Sequence, residues 1–255
     1  MLRNTPFHLV DASPWPLAGG LSCFILVTGL LAMMHEHVFD YLFIGLVSLG
    51  LVMFLWWRDV ARESTYLGFH HKEVQRGILL GMMWFITSEV FFFFGFFWTF
   101  YDYALSNEEN PPVGIEAMDP LSVPLLNTVV LLSSGITVTW SHYNILTGLS
   151  GKMGLFFTMF LGFFFVCLQG FEYYECSFNI SDSSYGSIFF MATGFHGFHV
   201  IVGSLFLLVS FCRMVLGHFN SSHHVGYECS IWYWHFVDVV WVYLYFGVYG
   251  WGSLY

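Results

Sequence analysis

Long apolar runs alternate with short polar connections along the whole of this 255-residue chain. Each run is roughly 20 residues long, the length that an α-helix needs to cross the hydrocarbon core of a bilayer. Helices satisfy their own backbone hydrogen bonds inside lipid, so the pattern predicts an all-α membrane protein with seven transmembrane helices. The predicted spans lie at about residues 15–34, 41–57, 74–103, 125–146, 152–173, 185–216 and 230–251. No linker is long enough to separate soluble domains, so residues 1–255 are predicted to form a single polytopic membrane domain.

The composition excludes several classes of protein. Hydrophobic residues make up 57% of the chain and charged residues only 9%, whereas a soluble domain carries about 25% charged residues. The formal net charge of −10 excludes a nucleic-acid partner, which would require a basic surface. The five cysteines form no Cys-x-x-Cys pair, and we interpret them as small apolar side chains rather than metal ligands.

The charges are distributed unevenly between the connections. With seven spans, successive connections lie on alternate sides of the membrane, and all seven Lys and Arg fall on the side of the N-terminus. These residues are Arg3, Arg58, Arg62, Lys72, Arg76, Lys152 and Arg213. The opposite connections carry Glu36, Asp40, Asp102, Glu108, Glu109, Glu116, Asp119, Glu175 and Asp182. Basic connections face the cytoplasm or its equivalent, so the N-terminus is predicted on that side and the C-terminus on the other.

One carboxylate, Glu89, stands inside an aromatic run of the third predicted span, residues 87–98 (TSEVFFFFGFFW). A charged side chain is costly in hydrocarbon, so it usually faces the helix bundle and finds a partner there. His196 and His199 are three residues apart in the sixth span and share one helix face. Glu89 is therefore predicted to be protonated or to hydrogen-bond to that face. The sequence leaves open whether this contact serves packing alone or acts as a proton site or regulatory contact.

Twelve histidines raise the question of a metal or haem site. The spans contain no Glu-x-x-His or His-x-x-x-His motif, and two imidazoles without carboxylate or thiolate partners are weak evidence for a metal. The favoured interpretation is hydrogen bonding within the bundle. No metal site and no catalytic residue are therefore predicted, and a redox-active haem protein is the alternative.

The segment that begins at Trp56 and ends at His71 is interpreted as a phospholipid headgroup site. Trp suits the membrane interface, and Arg and His side chains donate hydrogen bonds to phosphate. Arg213 could approach this site from the sixth span. The alternative is a basic loop that sets the orientation and contains the local ion pairs Arg58–Asp59 and Arg62–Glu63.

Eight motifs follow one another along the chain. They are residues 13–17 (SPWPL), 56–65 (WWRDVAREST), 88–98 (SEVFFFFGFFW), 124–128 (PLLNT), 172–175 (EYYE), 178–182 (FNISD), 192–201 (ATGFHGFHVI) and 232–241 (WYWHFVDVVW). Together they resemble subunit III of the haem–copper cytochrome c oxidases, of the mitochondrial type, along nearly the whole chain. One departure is Phe69, which stands between Gly68 and the pair His70–His71, where members of the family place two histidines directly after the glycine.

The resemblance implies a more detailed fold and a function. The first two helices would be splayed from a five-helix bundle, and the cleft between them would hold structural phospholipids. The chain would be a non-catalytic core subunit, without a redox centre, of the terminal respiratory complex that oxidises cytochrome c, reduces dioxygen to water and pumps protons. Haem and copper would be bound only by partner subunits. The chain would contact the catalytic subunit I, in a complex that also contains subunit II and accessory subunits.

The resemblance also assigns roles to single residues. Glu89 matches the carbodiimide-reactive intramembrane glutamate of the family. The residues that match its phospholipid ligands are Trp57, Arg62, Glu63, His70 and Arg213. The alternative function, a proton-coupled membrane transporter that uses Glu89, predicts broken helices or paired half-repeats, whereas the spans of this chain read as continuous and unrepeated.

The first apolar run lacks the flanking sequences of a signal or transit peptide, so it is expected to be a retained span. With the resemblance, this predicts a multi-pass protein of the mitochondrial inner membrane, with the N-terminus in the matrix and the C-terminus in the intermembrane space. A bacterial plasma membrane is the alternative, because the positive-inside rule points the same way in both membranes.

Overall fold

The computed structural model describes residues 7–106, 111–112 and 114–251, and within them the chain forms seven α-helices and one π-helix. The α-helices are α1 (Trp15–Glu36), α2 (Asp40–Thr65), α3 (Lys72–Ser106), α4 (Val123–Leu146), α5 (Lys152–Glu175), α6 (Ser184–Val215) and α7 (Val225–Leu244). The π-helix, Tyr245–Gly250, directly follows α7. The predicted all-α fold class with seven helices is confirmed. Three residues used in the charge count, Arg3, Glu108 and Glu109, lie outside the described residues.

Six of the described helices, α1 to α6, are long and apolar enough to cross a membrane. Helix α7 is less apolar because it carries Glu228, His235 and Asp238 between its aromatic residues. Twelve of its side chains are nevertheless buried, among them Trp234 and Trp241. Asp238 is buried among other helices, whereas the side chain of His235 is 44% exposed.

With the π-helix counted as the continuation of α7, most helix ends lie within about three residues of the predicted spans, and the largest differences are at the end of α2 and at the start of α7. Helix α2 continues to Thr65, whereas the predicted span ended at about residue 57. Its last turns contain an ion pair on one helix face, between Arg62 Nη1 and Asp59 Oδ1 at 3.8 Å. Helix α7 begins at Val225, whereas the predicted span began at about residue 230. Hydropathy marks where the chain leaves the hydrocarbon, but a helix whose polar side chains are paired or hydrated continues beyond that point.

The described chain divides into two compact units, Met1–Ile78 and Leu79–Tyr255, and the boundary falls within α3. In the first unit, α1 and α2 pack through glycines. A Cβ atom on Gly45 would lie 2.6 Å from the Cα of Leu26, and one on Gly29 would lie 2.6 Å from the carbonyl carbon of Tyr41. Such close backbone contact is typical of membrane helices, whose association relies on van der Waals packing.

The second unit is organised around α7, which is joined to α4 by three hydrogen bonds that we call the aromatic ladder. Tyr227 Oη donates to Ser141 Oγ at 2.7 Å, Trp234 Nε1 to Ser134 Oγ at 2.8 Å, and Trp241 Nε1 to Thr128 Oγ1 at 2.9 Å. The three donors recur every seven residues and therefore share one face of α7. Their partners run in the opposite direction along α4, so the two helices are antiparallel.

Candidate functional site

Glu89 of α3 and His199 of α6 form a hydrogen-bonded pair inside the second unit. The distance between Glu89 Oε2 and His199 Nε2 is 3.0 Å. The other ring nitrogen of His199, Nδ1, lies 2.6 Å from the carbonyl oxygen of Phe195. A carbonyl oxygen only accepts hydrogen bonds, so Nδ1 carries a proton and donates it to that bond.

The tautomer of His199 restricts the chemistry of the pair to two forms. If His199 is neutral, Nε2 is an acceptor and Glu89 must be a protonated acid that donates to it. If His199 is an imidazolium, Glu89 is a carboxylate and accepts. Both forms hold one proton between Oε2 and Nε2, and both have no net charge. This explains how an acid and a base are accommodated together inside an apolar bundle.

Aromatic side chains surround the pair. The His199 ring lies 5.1 Å from the Phe93 ring and 6.2 Å from the nearly parallel Tyr233 ring, measured between centroids. The side chain of His199 is 9% exposed and that of Glu89 is 22% exposed. A hydrogen bond in such surroundings is electrostatically stronger than one in water. The site can therefore hold one shared proton and connect α3 to α6.

His196, the second predicted partner, does not contact Glu89. Its Nε2 lies 3.2 Å from the carbonyl oxygen of Val237 in α7, so this nitrogen donates and the carbonyl accepts. Its ring packs against Phe165 and Trp241, at centroid distances of 5.7 and 5.0 Å. His196 and His199 share one face of α6, as the sequence indicates. From that face, His199 contacts α3 and His196 contacts α7.

The first unit contains a group of three ligand-type side chains that we call the His–Glu–His cluster: His8, Glu63 and His70. One ligand atom of each residue lies within 4.8 Å of the other two. His8 Nε2 is 3.9 Å from Glu63 Oε2, and the rings of His8 and His70 are 5.4 Å apart in an edge-to-face arrangement. Two of these residues, Glu63 and His70, belong to the predicted lipid-binding set.

The other predicted lipid ligands lie in different surroundings. Trp57 is 64% exposed on α2. Arg62 pairs with Asp59, not with Glu63 as the alternative interpretation of this segment expected. The second expected ion pair, between Arg58 and Asp59, is present at 2.9 Å. Arg213 belongs to the second unit, where its guanidinium carbon lies 4.6 Å above the Phe219 ring.

A second polar feature of the second unit opens towards the surface of α4 and α7. The buried side chain of Asp238 has one oxygen, Oδ2, 3.5 Å from His235 Nδ1, while its other oxygen, Oδ1, has no hydrogen-bond partner. These residues line a groove of about 600 Å³ with Gly135, Thr139 and Trp140. A buried carboxylate oxygen without a partner is costly, so a hydrogen-bond donor could be accommodated beside Asp238. The rest of the groove is largely apolar, with a lining that includes Leu132, Ile136 and Val239.

Comparison with known proteins decides the family. A family model described as cytochrome c oxidase subunit III matches residues 5–253. The chain belongs to the cytochrome c oxidase subunit III family. Cytochrome c oxidase subunit 3 of Mammuthus primigenius is 53% identical over 254 residues, which cover 97% of each chain. The proteins of the same name from Dugong dugon and Oncorhynchus masou are each 52% identical over 254 residues, again with 97% of each chain covered.

Membership of the cytochrome c oxidase subunit III family agrees with a multi-pass helical membrane protein, and the sequence identified that family correctly. Sequence reasoning missed two polar groups. His8 was overlooked because it precedes the first span, and only histidines within spans were considered as metal ligands. The second group surrounds Glu172, whose partners Asn127, Gln169 and Tyr249 come from α4, α5 and the π-helix. Glu172 stands near the polar end of its predicted span, so it resembled an ordinary surface acid.

Proposed function

We propose that this chain is a non-redox core subunit of cytochrome c oxidase, the respiratory complex that oxidises cytochrome c, reduces dioxygen to water and pumps protons. The observation that carries this proposal is the family match over residues 5–253. The chain supports the catalytic subunit I and assembles with subunit II and accessory subunits in the mitochondrial inner membrane. Haem and copper are bound by those partner subunits and not by this chain.

The hydrogen bonds of the bundle histidines support a role without a redox centre. His196 Nε2 donates to a backbone carbonyl, and both ring nitrogens of His199 are engaged. A haem or copper ligand needs a free imidazole nitrogen directed at the metal. Ligation through Nε2 of His196 or through either nitrogen of His199 would therefore break an existing hydrogen bond, whereas Nδ1 of His196 is buried without a hydrogen-bond partner among the described residues.

The geometry favours a positioning role for Glu89 over the alternative of a proton-coupled transporter. Transporter sites are typically built from broken helices at the membrane midplane. Here the carboxyl group stands on α3, which is continuous over 35 residues, and its partner on α6, which is continuous over 32 residues. The pair connects two unbroken helices and holds a shared proton within the supporting subunit.

The end of α2 supports the proposed retention of structural phospholipid. The exposed Trp57 ring suits the headgroup region, and the Arg62 guanidinium supplies several donors in a plane that matches a phosphate group. Glu63 and His70 add one acceptor and one imidazole on the same unit. Arg213, the remaining residue of the predicted set, belongs to the second unit. Its guanidinium packs over the Phe219 ring.

The distribution of charge supports the proposed orientation. Arg58, Arg62, Lys72 and Arg76 cluster at the end of α2 and the start of α3, which would face the matrix. On the opposite side, the connection after α3 meets the connection after α5, where Ser177 Oγ donates to the carbonyl oxygen of Glu116 at 3.2 Å. Both of these connections are acidic, so they would face the intermembrane space.

The proposed function is tested by isolating the complex from cells in which this chain carries an affinity tag. We expect subunits I and II to co-purify with it, and the separated chain to show no haem absorption. Complex depleted of this chain should still transfer electrons but lose activity sooner during turnover. A separated chain that retains stoichiometric haem, or a tagged chain that recovers no subunit I, would contradict the proposal.

A further inference from the structure

We propose that the His–Glu–His cluster is a binding site for a divalent transition-metal ion of the zinc class. This inference concerns the first unit alone and does not depend on the proposed function. Two imidazoles and one carboxylate form a common protein ligand set for zinc, with the fourth position left to water. Magnesium and calcium prefer sites made of oxygen donors only, so two nitrogen donors favour a transition metal.

The distances are close to those of a bound ion. Zinc bonds to imidazole nitrogen and carboxylate oxygen are each about 2.1 Å long, which places the donors of a tetrahedral site roughly 3.3 Å apart. The donors of His8 and Glu63 are already 3.9 Å apart, and all three donors lie within 4.8 Å of one another. The donors would therefore need to approach one another by no more than about 1.5 Å.

The three ligand-bearing segments are each held in place by other contacts. Glu63 is on α2, one helical turn after Asp59. Asp59 Oδ2 accepts a hydrogen bond of 2.8 Å from Trp15 Nε1, which ties the start of α1, seven residues after His8, to the same face of the helix. The His8 ring also packs against the Phe69 ring at a centroid distance of 5.4 Å.

The turn that carries His70 is fixed in the same way. Gly68 has a φ of +63°, and the amide of Phe69 donates to the carbonyl oxygen of Glu63 at 3.1 Å. Gln75 Nε2 donates to the carbonyl oxygen of His70 at 2.8 Å. Outer contacts of this kind orient metal ligands and are needed for affinity. Phe69, whose insertion departs from the family pattern, therefore stands directly between Gly68 of the turn and His70 of the cluster.

The test is zinc titration of the full-length chain in phosphatidylcholine bicelles, followed by calorimetry. This lipid is zwitterionic and is present in excess throughout, so the result does not depend on a specific lipid bound to Glu63 or His70. We expect one zinc ion per chain. The variants His8→Gln, Glu63→Gln and His70→Gln should each weaken zinc binding by more than about tenfold. The matched controls His71→Gln and Glu73→Gln should bind like the unaltered chain, because neither residue belongs to the cluster.

A second measurement separates loss of a ligand from loss of folding. In the variant His70→Cys, a thiolate replaces the imidazole as a zinc-class ligand. Cobalt bound to this variant should show a sulfur-to-metal absorption band in the near ultraviolet that the unaltered chain lacks. Three results would overturn the proposal: no stoichiometric zinc in the unaltered chain, ligand variants that bind as tightly as the controls, or a cysteine variant that binds cobalt without that band.

Discussion

Glu89 and Glu172 are both carboxyl side chains on long apolar helices of the second unit, yet their surroundings differ. Glu172 is 1% exposed and is contacted by three neutral side chains. Tyr249 donates to one of its oxygens, as does Gln169 at 3.5 Å, and Asn127 donates to the other at 3.5 Å. Glu89 is partly exposed and has one partner, the titratable base His199.

The difference shows two ways to keep an acid within a bundle. Each of the three partners of Glu172 donates a hydrogen bond to it and is itself neutral, and together they connect α4, α5 and the π-helix around the carboxyl group. The partner of Glu89 can exchange a proton with it, so the pair can change its internal form without a change in net charge. The first arrangement should therefore matter most for stability, and the second for the position of a proton.

The largest expected effect is on the Glu172 network. The substitution Glu172→Ala removes the acceptor of three buried donors, and we expect the free energy of unfolding to fall by about 3 kcal/mol. Denaturant titration of the chain in bicelles measures this change. The control is Glu175→Ala, which removes an exposed carboxylate from the end of the same helix. Equal effects of the two substitutions would show that the buried network contributes nothing to stability.

A single substitution tests how much of the free energy of unfolding depends on one hydrogen bond of the network. In the variant Tyr249→Phe, one donor to Glu172 is lost while the buried ring remains. We expect a loss of about 1 kcal/mol in the same titration. The matched control is Tyr245→Phe, whose hydroxyl donates at 3.3 Å to the carbonyl oxygen of Pro120 outside the network. If Tyr245→Phe lowers the free energy of unfolding as much as Tyr249→Phe does, the hydrogen bond from Tyr249 to Glu172 contributes no more to stability than the one from Tyr245 to Pro120.

The smallest effect on stability is expected at the other carboxyl group. The substitution Glu89→Gln keeps a donor directed at His199 Nε2, so the free energy of unfolding should change by about 0.6 kcal/mol or less. The informative measurement is infrared difference spectroscopy between two pH values. A carboxyl band of the unaltered chain should be missing in this variant and retained in the control Glu73→Gln. If Glu89→Gln loses none of the carboxyl bands of the unaltered chain, Glu89 is excluded as a titrating group.

The fold was largely predictable because hydropathy alone locates helices in a membrane. Glu89 was also identifiable, since it is a carboxylate inside an aromatic run. The choice between His196 and His199 was not predictable, because it depends on the backbone of α7, where Val237 offers a carbonyl oxygen to His196. The partners of Glu172 and the His–Glu–His cluster were missed for a related reason. Each is assembled from residues far apart in the sequence, and no short motif marks them.

The aromatic ladder has a consequence for the order of synthesis and insertion. Helix α4 leaves the ribosome well before α7, so its hydroxyl groups must enter lipid without their later partners. Ser134 and Thr128 donate their protons to carbonyl oxygens of their own helix, at Leu131 and Pro124, and Ser141 donates to Gly151 just before α5. Only oxygen lone pairs remain free, and Tyr227, Trp234 and Trp241 occupy them when α7 arrives. The three hydroxyl groups of α4 thus need no acceptor from α7, and α7 fixes its register by filling three acceptors together.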